Sequence, residues 1–244
     1  VHVIAFDNVL TGTRDNPFYD TNDANLEFVQ HDITRPFETE KEVDFIVHAA
    51  GVASPVYYAK FPLETIYASI DGIRHMLAFA KEKTPEAMMY FSSSEIYGNP
   101  HPEFIPTPEH YLGYVSSTGL RACYDESKRM GETLATVYHR QFGIPVKIVR
   151  PFNVYGPGMK RDDFRVLPNF LNAALDGKTL EIHNRGTQTR TFCYSTDAIA
   201  GFLRVLLLGR SGEAYNIGSP DEEISVYELA ERVRDYQGAI KTAR

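Results

Sequence analysis

Short apolar segments alternate along this chain with long amphipathic ones, and this alternation constrains the fold more strongly than any other feature of the sequence. Short apolar, β-rich runs predict strands at residues 1–6, 44–48, 88–92 and 146–150. Residues 63–83 and 121–142 carry apolar side chains at spacings of three and four, which predicts two long helices. Because strands buried on both faces read as continuous apolar runs, we expect an α/β fold with a doubly wound parallel sheet and right-handed crossovers.

The composition changes after Pro151, where Gly, Pro and Asn become frequent and the predicted elements shorten. Shorter elements are predicted there at residues 166–175, 196–208 and 226–233. We therefore expect two domains, with the sheet in residues 1–150 and a smaller lobe in residues 151–244.

Charge and cysteine content narrow the class of protein. The 244 residues are 43% hydrophobic, enough for a sizeable core, and the formal net charge of -7 argues against a nucleic-acid partner. The two cysteines, Cys123 and Cys193, have no metal-type spacing and suit a reducing compartment. Since the sequence shows no signal peptide and no apolar run of about 18 residues, we expect a soluble cytoplasmic protein without a metal site or a membrane partner.

Polar and small residues follow the predicted strands, at the edge where ligands bind in such a sheet. Asp7 follows the first strand, where a carboxylate accepts hydrogen bonds from both ribose hydroxyls of an adenosine and repels a 2′-phosphate, which favours NAD over NADP. An aspartate that ends a strand in a simple turn gives the same pattern. After the second strand, Ala49, Ala50 and Gly51 would let the backbone approach a cofactor closely.

Tyr124 and Lys128 are spaced to share one face of the second helix. A neighbouring ammonium stabilises a phenolate and lowers the tyrosine pKa from about 10, so the pair can take a proton from a sugar hydroxyl. The same spacing also occurs on solvated helix faces. The run from Ser92 to Glu95 adds hydroxyls and a carboxylate after the third strand, although serines also form turns. The order of these features along the chain favours the chemical interpretation.

Several motifs occur together in one order: Asp7-Asn8 with Thr11-Gly12, Ser93-Ser94-Glu95-Ile96-Tyr97-Gly98, Tyr124 with Lys128, and Arg150-Pro151-Phe152-Asn153-Val154-Tyr155-Gly156-Pro157. Through them the chain resembles the extended short-chain dehydrogenase/reductase family, the NAD-dependent epimerases and dehydratases, in its nucleotide-sugar branch. Within that branch it is most similar to the decarboxylases that convert UDP-glucuronate to UDP-xylose. The runs that carry this finer similarity are Ser93-Ser94-Glu95, Gly119 to Glu126, Arg165 to Phe170 and Gly186 to Arg190. Sugar 4,6-dehydratases have aspartate where this chain has Ser94.

The resemblance implies a Rossmann-type fold, NAD as a recycled cofactor and a UDP-sugar substrate. It implies that Tyr124 is the base, that Lys128 holds the nicotinamide ribose, that Ser93 bonds the same sugar oxygen, and that Ser94, Glu95 and Arg190 complete the catalytic set. The implied cofactor-binding residues are Asp7, Asn8, Thr11, Gly12, Asp32, Ile33, Ala49, Ala50, Gly51, Ser92, Tyr124 and Lys128. The implied substrate-binding residues, in the lobe of residues 151–244, are Asn153, Arg165, Gln188 and Arg190.

The chain also departs from the family pattern. It begins within the second strand of the family fold, so the first strand and its glycine-rich turn, which would hold a pyrophosphate at a helix N-terminus, are missing; we expect them in a longer natural chain. The two long helices carry more apolar residues than one sheet face needs, and in the family they form an intersubunit bundle, which predicts a homodimer. A 4-epimerase or related sugar dehydratase, and a non-catalytic dinucleotide-binding protein, stay as alternatives.

Overall fold

The computed structural model describes residues 1–12, 23–161, 163–182, 184–220 and 223–242. The strands are β1 (Val3–Asp7), β2 (Leu26–Gln30), β3 (Phe45–His48), β4 (Ala87–Phe91), β5 (Val146–Pro151), β6 (Val154–Tyr155), β7 (Thr189–Thr191), β8 (Cys193–Tyr194), β9 (Ala214–Ile217) and β10 (Glu223–Ser225). The α-helices are α1 (Pro55–Lys60), α2 (Pro62–Lys83), α3 (Ala122–Phe142), α4 (Val166–Leu175), α5 (Ser195–Leu208) and α6 (Val226–Thr242). Two 3₁₀ helices lie at Ser94–Tyr97 and Pro102–Phe104.

A four-stranded parallel sheet, in the order β3-β4-β5-β9, forms the centre of the first of two compact units. Side chains that alternate along β4 and β5 enter two separate apolar cores. The core on one face, shared with α2 and α3, includes Ile73, Leu77, Met88, Tyr90, Ala135, Val146 and Ile148. The core on the other face, shared with α5, includes Ala87, Met89, Val149, Val205 and Leu206. Because helices cover both faces, the predicted α/β class with a doubly wound parallel sheet is confirmed.

The strands β1 and β2 form a separate parallel pair, with Phe6 opposite Val29. Among the described residues, β1 pairs with β2 alone and β3 with β4 alone. In β3, Ile46 is buried while Phe45 and Val47 are exposed. We predicted a sheet that lacks one strand, and the structure shows it divided into two parts, with the gap between β1 and β3. The strand β2, which was not predicted from the sequence, belongs to the smaller part together with β1.

The division of the chain differs from the predicted boundary between residues 150 and 151. The first unit comprises Val1–Pro151 together with Ile199–Ile217, and the second comprises Phe152–Ala198 with Gly218–Arg244. The chain returns to the first unit because β9 pairs with β5, with Ala214 opposite Ile148. The segment 199–217, predicted to belong to the smaller lobe, therefore belongs to the sheet.

The second unit is built around α4 and α6, whose apolar faces pack together. Its core comprises Phe170, Ile224, Val226, Leu229, Ala230 and Val233. Two short pairs of strands complete it: β7 with β10, antiparallel, and β6 with β8, parallel.

Local signals explain where the long helices begin and end. Proline occupies the first position of α2, where a missing amide hydrogen costs nothing. At the end of α3, Gly143 adopts a φ of 70° and its amide bonds the carbonyl oxygen of His139, a left-handed cap that glycine forms without strain. Within the described part of the chain, no helix has both the length and the apolar character needed to cross a bilayer.

Candidate active site

Tyr124 and Lys128 lie one turn apart on α3, and both are buried in the first unit. The Lys128 ammonium donates a hydrogen bond to the carbonyl oxygen of Phe91 at 2.8 Å and lies 5.9 Å from the centre of the Tyr124 ring. It also lies 5.4 Å from the centre of the Tyr90 ring. The end of β4 thus anchors the lysine, and the structure places the predicted pair on one helix face.

Two opposing effects act on the charge of Lys128. Burial lowers the pKa of Lys128 to about 8, because the ammonium loses its hydration, while the carboxylate of Glu132 one turn further along α3 acts to raise it. Burial, and with it the charge of Lys128, lowers the pKa of His48 at the end of β3 to about 3. At neutral pH the histidine is therefore uncharged, and Lys128 carries the positive charge beside Tyr124.

The serine run begins where β4 ends. Ser93 caps the 3₁₀ helix Ser94–Tyr97: its hydroxyl oxygen accepts a hydrogen bond from the amide of Glu95 at 3.2 Å. Ser92 and Ser93 are buried, and Ser92 Oγ has no hydrogen-bond partner among the described residues. The capped turn holds Ser93 and Glu95 in a fixed relation at the carboxyl end of β4.

Glu95 is bound by Arg121, a residue to which the sequence analysis assigned no role. A guanidinium nitrogen of Arg121 hydrogen-bonds the Glu95 carboxylate and lies 3.6 Å from the carboxylate of Asp125. Burial raises the pKa of Asp125 to about 6, although Arg121 acts to lower it. Arg121 immediately precedes α3 and stands three residues before Tyr124. The contact therefore places the Glu95 carboxylate beside the start of the helix that carries the base.

Tyr58 of α1 is a second residue that the sequence analysis missed. Its ring stacks on the ring of Tyr124, with centres 5.2 Å apart and planes 15° apart, and both belong to a small buried cluster with Val52. Burial raises the pKa of Tyr58 to about 12, so this tyrosine stays protonated. The stack fixes the plane of the Tyr124 ring.

The residues predicted to hold the nucleotide part of the cofactor come together in one cleft of the first unit. The cleft is lined by Asp7, Asn8, Thr11, Asp32, Ile33, Ala50 and Gly51, among others. Gly12 packs against it, since a side-chain carbon at that position would lie 3.4 Å from both carboxylate oxygens of Asp7. Ala49 and Ser92 are not lining residues.

The polar groups of this cleft suit the adenosine part of a dinucleotide. Asp7 accepts a hydrogen bond from the amide of Val9 at 2.6 Å, and Asp32 accepts two from Thr34 at 3.0 and 2.8 Å. The amide of Thr34 is the main cause of the lowered pKa of Asp32. Because a carboxylate accepts up to about four hydrogen bonds, Asp7 retains capacity for ribose hydroxyls. These carboxylate acceptors therefore fit the ribose hydroxyls of NAD.

Gly51 connects the cleft to the tyrosine–lysine pair. It lines the cleft, and a side-chain carbon at Gly51 would lie 3.4 Å from Nζ of Lys128. The backbone of Gly51 therefore lies within van der Waals reach of the ammonium. The cleft therefore leads directly to the proposed reacting groups.

The predicted substrate residues belong to the second unit. Arg165 caps α4, and its guanidinium is held by Asp163, with Nη2 2.5 Å from a carboxylate oxygen. Arg190 lies on β7, exposed, and donates to the carbonyl oxygen of Thr189 at 2.7 Å. Gln188 is exposed, and its carbonyl oxygen accepts from the amide of Val226 at 3.1 Å.

Asn153 has a φ of 33°, a conformation that asparagine tolerates better than most residues. Its carbonyl oxygen accepts a hydrogen bond from the amide of Cys193 at 3.3 Å. The sugar-binding role of Asn153, and the joint action of Glu95 and Arg190, stay predictions.

Comparisons with known proteins show the family of the chain. Residues 5–218 match the model of the NAD dependent epimerase/dehydratase family. The chain is 43% identical over 235 residues to UDP-glucuronic acid decarboxylase 5 of Arabidopsis thaliana, covering 96% of this chain and 66% of the relative. It is 36% identical to UDP-glucuronic acid decarboxylase 1 of Xenopus tropicalis, covering 97% of this chain and 55% of the relative. It therefore spans less than two thirds of the length of these relatives.

A solved structure gives the same picture of the fold. DesIV of Streptomyces venezuelae, a dTDP-glucose 4,6-dehydratase with NAD and TYD bound, is similar with a TM-score of 0.83 and 27% sequence identity, over 97% of this chain and 72% of that one. The family match extends over both the cleft and the tyrosine–lysine pair. On this evidence the chain belongs to the NAD dependent epimerase/dehydratase family.

Proposed function

We propose that the protein is an NAD-dependent decarboxylase that converts UDP-glucuronate to UDP-xylose and carbon dioxide. The observation that carries the proposal is the position of Gly51, which lines the nucleotide cleft and also abuts Lys128 beside Tyr124. A dinucleotide bound at Asp7 would thus extend toward Tyr124, the proposed catalytic base. The identity of 36–43% with UDP-glucuronic acid decarboxylases supports the choice of substrate.

Asp7, Asp32 and Gly51 would hold the cofactor. Bound NAD supplies an acceptor for the hydride of sugar carbon C4 and later returns that hydride, so no net oxidation occurs. Lys128 places a positive charge beside Tyr124, which favours the phenolate form of the tyrosine.

Tyr124 takes the proton of the C4 hydroxyl, and Ser93 hydrogen-bonds the same oxygen. The C6 carboxylate of the resulting 4-keto sugar is that of a β-keto acid. The C5–C6 bond breaks, carbon dioxide leaves, and the electron pair is delocalised into the ketone as an enolate. Groups that stabilise this oxyanion lower the barrier most.

Glu95 and Arg190 act in this half of the reaction, in which C5 gains a proton. Arg121 keeps the Glu95 carboxylate next to α3. Tyr124 finally returns a proton to the C4 oxygen, which completes the pentose.

The test is to incubate the full-length protein with NAD and UDP-glucuronate and to follow carbon dioxide and the sugar nucleotide by mass spectrometry. We expect one carbon dioxide for each UDP-pentose formed. A six-carbon acid inverted at C4, without gas release, would instead indicate a 4-epimerase. NAD binding with no turnover of any nucleotide sugar would indicate a non-catalytic dinucleotide-binding protein.

We propose further that the protein is a homodimer and works in the cytoplasm. On α3, Met130 and Val137 are seven residues apart, share one face and are exposed, as is Leu63 of α2. Apolar side chains on neighbouring helices suit a second copy of the chain. Cys123 and Cys193 are free thiols, which suits a reducing compartment.

A further inference from the structure

Arg150 lies at the carboxyl end of β5 and forms a buried ion pair with the helix that carries the proposed base. Its Nε and Nη2 atoms donate to the two carboxylate oxygens of Glu132 at 2.9 and 2.6 Å. The side chains of Arg150 and Glu132 are only 10% and 13% exposed, so water does not weaken the pair appreciably. Glu132 stands one turn after Lys128 and two turns after Tyr124, on the same face of α3.

The same guanidinium also binds the segment that carries the serine run. Nη1 of Arg150 donates to the hydroxyl oxygen of Tyr97 at 2.7 Å, and the guanidinium carbon lies 5.1 Å from the centre of the tyrosine ring. The Tyr97 hydroxyl in turn donates to Oδ1 of Asn216 at 2.7 Å. Tyr97 is 1% exposed and is the last residue of the 3₁₀ helix Ser94–Tyr97.

The charges in this network are well defined. Burial raises the pKa of Tyr97, so its hydroxyl is neutral and both donates and accepts. Burial acts to lower the pKa of Arg150, but the hydrogen bonds and charge of Glu132 raise it above its ordinary value. Arg150 is therefore a permanent cation that holds Glu132 and Tyr97 at the same time.

Further hydrogen bonds hold the loop that follows the 3₁₀ helix Ser94–Tyr97. Nη1 of Arg150 also donates to the carbonyl oxygen of Glu109 at 2.7 Å. The Glu109 carboxylate accepts from the amide of Asn216 at 3.0 Å, and the Asn216 side-chain amide donates to the carbonyl oxygen of Thr107 at 2.8 Å. The loop is thus tied at two points to the ends of β5 and β9.

We propose that Arg150, Glu132 and Tyr97 are positioning residues that hold the 3₁₀ helix Ser94–Tyr97 in register with α3, so that Ser93 and Glu95 meet the substrate together with Tyr124. The catalytic part of this inference rests on the proposed function; the structural part does not. None of the three residues touches the substrate in this scheme. They act through the two elements that do.

Replacing Arg150 or Glu132 would leave a buried partner without its counter-charge and would endanger folding. Tyr97→Phe is the sharper variant, because it removes one hydroxyl and leaves the Arg150–Glu132 pair intact. The matched control is Tyr111→Phe in the same loop, whose hydroxyl accepts a bond from the amide of His101 at 3.4 Å and is not bonded to Arg150.

Two measurements on the full-length enzyme separate the outcomes. In hydrogen exchange, the peptide containing residues 94–98 should exchange at least about tenfold faster in Tyr97→Phe than in the unmutated protein or in Tyr111→Phe, since a local opening free energy has fallen. With NAD and UDP-glucuronate, kcat should fall by about tenfold or more in Tyr97→Phe, with KM within about twofold. Tyr111→Phe should change neither.

Unchanged exchange at residues 94–98 in Tyr97→Phe would overturn the positioning role, whether or not the enzyme is active. Faster exchange with an unchanged kcat would limit the network to stability and would also contradict the proposal. An inactive unmutated enzyme would count against the proposed function alone, because the exchange result would still decide whether the network holds the 3₁₀ helix.

Discussion

The buried ammonium of Lys128 lowers the stability of the folded protein, and the place of Lys128 beside Tyr124 explains why the protein keeps it. A fully buried ammonium is poorly solvated, and its bond to the carbonyl oxygen of Phe91 offsets this only in part. With a folded-state pKa of about 8 against an ordinary value of 10.5, the unfolded chain binds the proton more tightly than the folded one. The penalty is therefore complete below pH 8 and is relieved as the pH rises from 8 toward 10.5.

Lys128→Met should raise the free energy of unfolding at pH 7 by ~1–3 kcal/mol, because a shift of one pKa unit corresponds to ~1.4 kcal/mol. The gain should shrink at pH 10, and catalysis should be lost at both pH values. Urea unfolding at the two pH values is the measurement. The exposed Lys60→Met is the control, with a change below ~0.5 kcal/mol. A destabilised Lys128→Met protein at pH 7 would show that the ammonium contributes more to folding than its burial costs.

At the scale of a single carboxylate, we expect Asp7 to decide the choice between NAD and NADP. In the full-length protein we expect NAD to bind much more tightly than NADP, and Asp7→Ala should narrow the ratio by roughly tenfold or more, since hydrogen bonds to a charged acceptor contribute ~1.5–3 kcal/mol. Calorimetric titration of both dinucleotides measures this. Asp23→Ala, outside the cleft, should leave the ratio unchanged. Equal affinities of the unmutated protein for NAD and NADP would contradict this role of Asp7.

At the scale of elements, the contact between α3 and β4 depends on Gly131. A side-chain carbon there would lie 2.0 Å from the hydroxyl oxygen of Tyr90. The absence of a side chain lets the helix carrying Tyr124 and Lys128 pack closely on the strand that ends at Phe91. This close packing brings Nζ of Lys128 within hydrogen-bond distance of the Phe91 carbonyl oxygen.

Gly131→Ala should therefore destabilise the protein by roughly 2–3 kcal/mol through overpacking. Helix propensity alone would give the opposite sign, because alanine is favoured over glycine by about 1 kcal/mol in a helix interior. Thermal unfolding distinguishes the effect of overpacking from the effect of helix propensity. Thr133→Ala, exposed on the same helix, controls for propensity and should stabilise the protein by no more than about 0.7 kcal/mol. A stabilised Gly131→Ala protein would mean that α3 can move away from β4 without loss.

Local patterns were sufficient to predict the central elements. The run that became β4 is apolar on both faces, and the spacing of Tyr124 and Lys128 needs only one helix. The contacts that hold the site together were not predictable in this way, because they join residues far apart in the chain. Arg121 binds Glu95 across 26 positions, and Arg150 binds Tyr97 across 53. Neither partner is marked by periodicity or by a turn signal.

The assignment of α5 to the smaller lobe was wrong for a related reason. The element predicted at residues 196–208 is close to the observed helix Ser195–Leu208. Amphipathicity does not say which core a helix covers. Val205 and Leu206 pack with Val149 of β5, and β9 then joins the sheet. The boundary drawn at residue 150 therefore missed the return of the chain.

At the scale of the whole molecule, the exposed apolar side chains of α2 and α3 predict a dimer of the full-length protein. Val137→Glu should shift the molecule toward the monomer at micromolar concentration, because a charge would be buried in the interface. Light scattering measures the mass. The control is Leu208→Glu, which alters an equally apolar and exposed position on α5. A monomeric unmutated protein would contradict the assembly.

The central claim is that one group of residues carries out hydride transfer and another the loss of carbon dioxide, and it is tested most directly by measuring both in the same variants. With UDP-glucuronate and NAD, Glu95→Gln should cut carbon dioxide release by about a hundredfold or more while NADH still forms, because Glu95 acts after C4 is oxidised. Arg190→Lys should behave in the same way. Tyr124→Phe should abolish NADH formation and carbon dioxide release together, since no base starts the reaction. Full carbon dioxide release by Glu95→Gln and Arg190→Lys would contradict this division of roles.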